Sequence, residues 1–138
     1  MWEWIRSLPT DWQAGMEAPP LSVKGGPWKA LLSVGMGGSA FGAEVVRSWA
    51  EPHLPLPWII LRDYRLPAWV GKDTLVLAAS YSGNTEETLE AVEAALARGA
   101  TVVGLASGGT LQARGDQGKL ASFIPLPAGR PPRPALPF

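Results

Sequence analysis

The sequence predicts an α/β fold: a three-layer, doubly wound, five-stranded parallel sheet with helices on both faces. Three observations predict it. The short apolar runs are apolar throughout rather than alternating, as strands buried on both faces of a parallel sheet must be. Segments of helical periodicity separate them and can carry the chain back across a sheet. Two of the runs end in Gly- and Ser-rich segments, at 35–39 and 80–85, and strand C-termini are where such sheets bind ligands.

The first 28 residues form an extension of mixed character. Trp2, Ile5 and Leu8 fall at helical spacing, and Pro9-Thr10-Asp11 reads as a stop followed by a new helix start. Pro19-Pro20 and Gly25-Gly26-Pro27 mark a loop. The alternating domain spans residues 29–127. Ala30 to Val34 is its first strand and Gly35 to Ser39 a Gly-rich turn. Ala40 to Ala50 is a helix with Phe41, Val45, Val46 and Trp49 on one face. Trp58 to Leu61 and Thr74 to Ala79 are the second and third strands. Asn84 or Thr85 caps a long helix to Arg98, with an apolar stripe of Thr88, Leu89, Val92, Ala95 and Leu96 and with Gly99 at its C-terminal stop. Thr101 to Ala106 is the fourth strand and Phe123 to Leu126 the fifth. The Pro-rich segment 128–138 is expected to be extended.

Composition excludes several function classes. With 138 residues there is room for one domain, and 46% hydrophobic content can build its core. The formal net charge is zero and the basic residues are scattered, so nucleic acid is not expected as a partner. No run approaches a membrane span, and Met1-Trp2-Glu3-Trp4-Ile5-Arg6 lacks the pattern of a signal peptide, so the expected compartment is the cytoplasm. The absence of cysteine rules out disulfides and thiolate chemistry. His53, the one histidine, cannot supply a multi-His metal site, and no metal is expected.

Two segments carry chemistry. Gly35-x-Gly37-x-x-Ala40 fits a dinucleotide fingerprint between a strand and a helix, with Asp63 as a candidate ribose acid. The same glycines also suit a tight turn with no ligand. Ser80-Tyr81-Ser82-Gly83-Asn84-Thr85 is more specific. Ser80, Ser82 and Thr85 offer hydroxyls, Gly83 lets the backbone curl, and Asn84-Thr85 opens a helix. A phosphate needs several donors converging on its oxygens, and hydroxyls with backbone N–H groups at a helix start provide them without a cation. A plain capping arrangement, Asn84 with Glu87 or Thr85 with Thr88, explains part of this pattern but leaves Ser80 and Ser82 without a role. Glu86 and Glu87 complement the helix dipole.

Taken in order, Gly35-Met36-Gly37-Gly38-Ser39, Arg62-Asp63-Tyr64 before Leu66-Pro67, Ser80 through Thr88, and Pro132-Arg133-x-Ala135-Leu136 resemble the sugar isomerase (SIS) domain. Within that family they are most similar to the bifunctional phosphoglucose/phosphomannose isomerases. The resemblance runs from about Leu31 to the end of the sequence and implies a flavodoxin-like SIS domain. It implies a hexose 6-phosphate substrate (glucose, mannose or fructose 6-phosphate) and aldose–ketose interconversion through an enediol, with no cofactor. It also implies phosphate binding by Ser80, Ser82 and Thr85, and a pocket completed by Gly38, Ser39, Tyr81, Gly83 and Asn84. Arg133 matches an active-site arginine, whose fixed guanidinium would stabilise the enediolate charge. Without the family, Arg133 reads as a solvated charge in a Pro-rich tail.

The resemblance also implies a homodimer, or pairing with a second SIS domain, since family members carry two such domains and act as dimers. Their catalytic glutamate and ring-opening histidine come from later in the chain. No glutamate here matches that base, and His53 is not that histidine. Three expectations follow: a fragment of a longer polypeptide, a short protein paired with a separate second-domain chain, or a silent binding domain. The ending with Leu136 and Phe138 favours the first. Two alternative functions remain beside the isomerase reading, a non-catalytic sugar-phosphate-sensing module and a dinucleotide-binding domain.

Overall fold

The computed structural model of the chain describes residues 2–17 and 21–129, with all their side chains except those of residues 2–5, 8 and 12. The element order is α1 (Trp2–Met16), β1 (Ala30–Gly35), α2 (Gly38–Ala50), a single 3-10 turn (Glu51–His53), β2 (Trp58–Leu61), β3 (Thr74–Ala79), α3 (Glu86–Ala97), β4 (Thr101–Ala106), α4 (Gly109–Asp116) and β5 (Ser122–Pro125). The five strands form one parallel sheet in the order β2-β1-β3-β4-β5. The predicted fold class and all five predicted strands are present.

Helix placement follows from handedness. The chain leaves β1 for β2 in one direction, and moves from β3 to β4 to β5 in the other. Right-handed crossovers then put α2 on one face of the sheet and α3 and α4 on the other. The main core lies under α3 and α4. Leu32 and Val34 of β1, Val76 and Ala78 of β3, and Val102 and Ala106 of β4 meet Ala91, Val92 and Ala95 of α3 and Leu111 of α4. These side chains alternate along each strand, as the pleat requires. Leu66 and Val70 close the same core from the β2–β3 connection, which has no helix. On the opposite face Trp58 donates its indole N–H to the buried Ser33 hydroxyl at 2.8 Å, which satisfies the polar group inside β1.

Two sequence expectations are corrected. The stop and restart at Pro9-Thr10-Asp11 does not occur, because α1 runs through Pro9. The Ser7 hydroxyl donates to the Asp11 carboxylate at 2.8 Å, so Asp11 holds the turn before it and does not cap a new helix. A fourth helix, α4, stands where none was expected: four glycines at 108, 109, 115 and 118 hide its periodicity, and Leu111 is its one buried residue. The helix expected over 40–50 is present as α2, and its apolar residues face outward. Phe41, Val45, Val46 and Trp49 are all exposed, Trp49 by 77%. Arg133 and residues 130–138 of the Pro-rich segment lie outside the described residues, which end at 129.

Candidate functional site

Strand order reverses between β1 and β3, and the two Gly/Ser segments flank that switch point at the strand C-termini. They approach so closely that a Cβ on Gly35 would stand 2.9 Å from the Ala79 carbonyl oxygen. Just beyond, the Tyr81 N–H donates to the Ser39 hydroxyl at 3.4 Å. The structure therefore brings Gly38 and Ser39 together with the 80–85 loop.

Within that loop the hydroxyls divide the work. Ser80 is 1% exposed. Its Oγ lies 2.8 Å from Thr85 Oγ1 and accepts the Thr85 N–H at 3.4 Å, so it ties the ends of the loop together. Ser82 is exposed, and its Oγ accepts the Asn84 N–H at 3.2 Å. That bond uses a lone pair and leaves the hydroxyl proton free to donate. Gly83 turns the backbone at φ +71 with its N–H bonded to the Ser80 carbonyl. Thr85 is the N-cap of α3 but makes no side-chain bond to the helix, so neither expected capping pair forms. The first N–H groups of α3 thus open onto the loop without a side-chain acceptor, where a helix N-terminus attracts anions.

Around this loop stand groups with supporting roles. The Tyr81 hydroxyl donates to the Pro127 carbonyl at 2.8 Å, which fixes the chain leaving β5 beside the site. Tyr64 lies against Glu87 of α3. Loss of solvent around the phenol, and then the Glu87 carboxylate beside it, raise the Tyr64 pKa above 10.0. Asp63 accepts the Tyr64 N–H at 2.6 Å, and Arg62 pairs with Glu44 at 2.7 Å. Among the described residues no cluster of His, Asp and Glu is placed to hold a metal. None of the described helices is long and apolar enough to cross a membrane.

Sequence reasoning missed one element, the Ser107-Gly108-Gly109-Thr110 segment that leaves β4 and begins α4. The Ser107 N–H and hydroxyl both donate to the Tyr81 carbonyl, at 2.9 and 2.6 Å. The Leu111 N–H donates to the Gly83 carbonyl at 3.0 Å. Asn84 Oδ1 accepts both the N–H and the hydroxyl of Thr110, each at 2.9 Å. The available signal was a strand end followed by Ser-Gly-Gly-Thr, the same chemistry that marked the 80–85 loop.

No protein-family model matches the chain. The chain is 38% identical, over 139 aligned positions and 99% of its length, to 41% of the bifunctional phosphoglucose/phosphomannose isomerase of Caldicellulosiruptor bescii. It spans well under half the length of the curated relatives of that name that it matches. Its fold matches that of the Vibrio vulnificus NanR protein complexed with ManNAc-6P (TM-score 0.62, 17% identity, 96% of this chain and 48% of that one). It also matches the sugar isomerase domain of an RpiR transcription factor from Sphaerobacter thermophilus (TM-score 0.58, 17% identity, 87% and 62%). At such identities the structural matches establish the fold alone. The resemblance drawn from the ordered motifs is borne out by the sequence comparison.

Proposed function

We propose that this chain, a relative of the bifunctional phosphoglucose/phosphomannose isomerases with the fold of a sugar isomerase domain, is the sugar-phosphate-binding part of an aldose–ketose isomerase. One observation carries the reading. The free Ser82 hydroxyl, the Thr85 hydroxyl and the uncapped start of α3 converge at the switch point, with Ser39 beside them. That is a set of neutral donors suited to a phosphate dianion. Ser80 shapes this set from below through its bonds to Thr85. The substrate is a hexose 6-phosphate, with its reacting carbons directed away from the phosphate. By similarity Arg133 meets the enediolate, where a fixed cation lowers the barrier to proton transfer. The acid and base come from another domain or a second chain, which also accounts for pairing with a second sugar isomerase domain. Such an enzyme works in the cytoplasm and needs no cofactor.

Thermal melting with 6-phosphogluconate or fructose 6-phosphate tests this. Ligand at ten times its Kd stabilises by about 1.4 kcal/mol, which for a chain of this size raises Tm by roughly 5 °C. Ser82→Ala should reduce the shift and Thr85→Ser should keep most of it. No shift with any hexose 6-phosphate at millimolar concentration would sink the assignment. A second reading is sensing without turnover, as sugar isomerase domains of this fold also occur in a transcription factor. It is distinguished by binding without isomerisation in the full assembly. Dinucleotide binding through Gly35 to Ala40 leaves the 80–85 loop without a purpose and ranks last.

A further inference from the structure

We infer that the segment joining β4 to α4, residues 107–110, is the positioning element of the anion site, and that the Asn84 side-chain oxygen acts through Thr110 as its brace. The inference rests on the sugar-phosphate reading of the 80–85 loop. Two facts lead to it. First, the Asn84 side-chain oxygen is already engaged. A backbone N–H can only donate, so the oxygen of Asn84 must face the Thr110 N–H, and it receives the Thr110 hydroxyl as well. Second, the two loops interlock backbone to backbone. A Cβ on Gly83 would overlap the Gly108 carbonyl oxygen and stand 2.8 Å from its carbon. A Cβ on Gly109 would overlap the Ser82 carbonyl oxygen and stand 2.8 Å from Asn84 Oδ1. Both glycines have positive φ, near +71.

The consequence concerns Ser82. It sits between two clamped points, with the Tyr81 carbonyl held by Ser107 and the Gly83 carbonyl held by the Leu111 N–H. Its hydroxyl is therefore aimed by the segment that joins β4 to α4. Pre-set donors of this kind bind an anion without first ordering the loop, and that ordering is a large part of the cost of binding.

The test uses the 138-residue chain, 6-phosphogluconate titrated by calorimetry, and amide hydrogen exchange at residues 82–86. Thr110→Val removes the hydroxyl donor and keeps the shape. It should weaken 6-phosphogluconate about fivefold, the loss of roughly one net hydrogen bond, speed exchange at 82–86, and lower Tm by about 3–4 °C. Thr110→Ser should restore both. Added to Asn84→Ala, Thr110→Val should cost nothing further, because the one bond it removes is among the two that Asn84→Ala already removes. The inference fails if Thr110→Val binds like the unaltered chain while Asn84→Ala does not, or if the two losses add. Failure of the unaltered chain to bind any hexose 6-phosphate overturns the sugar-phosphate reading and this role with it. Exchange at 82–86 tells the cases apart, since it reports the brace with or without ligand.

Discussion

Gly83→Ala offers a clean measure of how much the interlocked loops contribute to the fold. Gly83 has φ +71 and Gly118, at the end of α4, has φ +68. An alanine at either position meets the same left-handed backbone strain, about 1–2 kcal/mol, partly offset by the reduced freedom of the unfolded chain, roughly 0.4–1 kcal/mol. The surroundings differ. Nothing lies within 4 Å of a Cβ on Gly118, whereas a Cβ on Gly83 runs into the Gly108 carbonyl. The second loop must withdraw. It would then lose the Leu111 N–H bond to Gly83 and both Thr110 bonds to Asn84. At about 1 kcal/mol each, these bonds add roughly 3 kcal/mol to the strain. Unfolding entropy near 2.1 cal/mol/K per residue makes 1 kcal/mol worth about 3–4 °C in a chain of 138 residues. Gly83→Ala should therefore melt roughly 10 °C below Gly118→Ala, followed by circular dichroism. Melting points within about 2 °C of each other would mean that the second loop moves aside freely, and the reasoning would be refuted.

Two further outcomes are expected. Thr88 is fully buried in α3, and its hydroxyl has no hydrogen-bond partner among the described residues. Thr88→Val replaces a desolvated polar group by a methyl of the same shape and should raise stability by about 1 kcal/mol; a lower Tm would show that the hydroxyl is satisfied. Tyr64 should ionise above pH 10.0 when phenolate absorbance is followed in a Tyr81→Phe background, and Glu87→Gln should bring it part of the way back. Because the folded chain holds that proton more tightly, the associated stability is present below the unfolded pKa and is lost as pH rises through the folded value. A titration indifferent to Glu87→Gln would remove the carboxylate as a cause.

The sheet was legible because burial on both faces writes itself into the sequence as mainly apolar runs, and β1, β3 and β4 are such runs, with Ser33 the one polar residue inside them. The helix α4 was not, because its packing rests on absence. A Cβ on Gly104 would stand 2.7 Å from Leu120, and one on Gly115 would stand 2.7 Å from Phe123. Close approach of helix and sheet through glycine carries no hydrophobic period to read. At the site, the residue types were legible and their division of labour was not. Ser80, Ser82 and Thr85 look equivalent as hydroxyls, yet Ser80 is buried in the turn and Ser82 is open. Asn84 looked like a cap or pocket residue, and its partner proved to be Thr110, 26 positions away. Local reading could not anticipate a bond formed only after the α3 crossover has returned the chain through β4.

Among the described residues the sheet ends at β2 on one side and β5 on the other, and each is four residues long. An open edge is a row of backbone donors and acceptors that other chains can extend. Here Pro55 and Pro57 precede β2, while Pro125 ends β5 and Pro127 follows it. Proline has no N–H to donate and is confined to such margins. Lateral growth of the sheet is therefore disfavoured on both sides, and a neighbouring molecule has little ladder to join. Contacts with other chains are thus steered toward the broad helical surfaces, where side-chain shape decides the fit and backbone pairing does not.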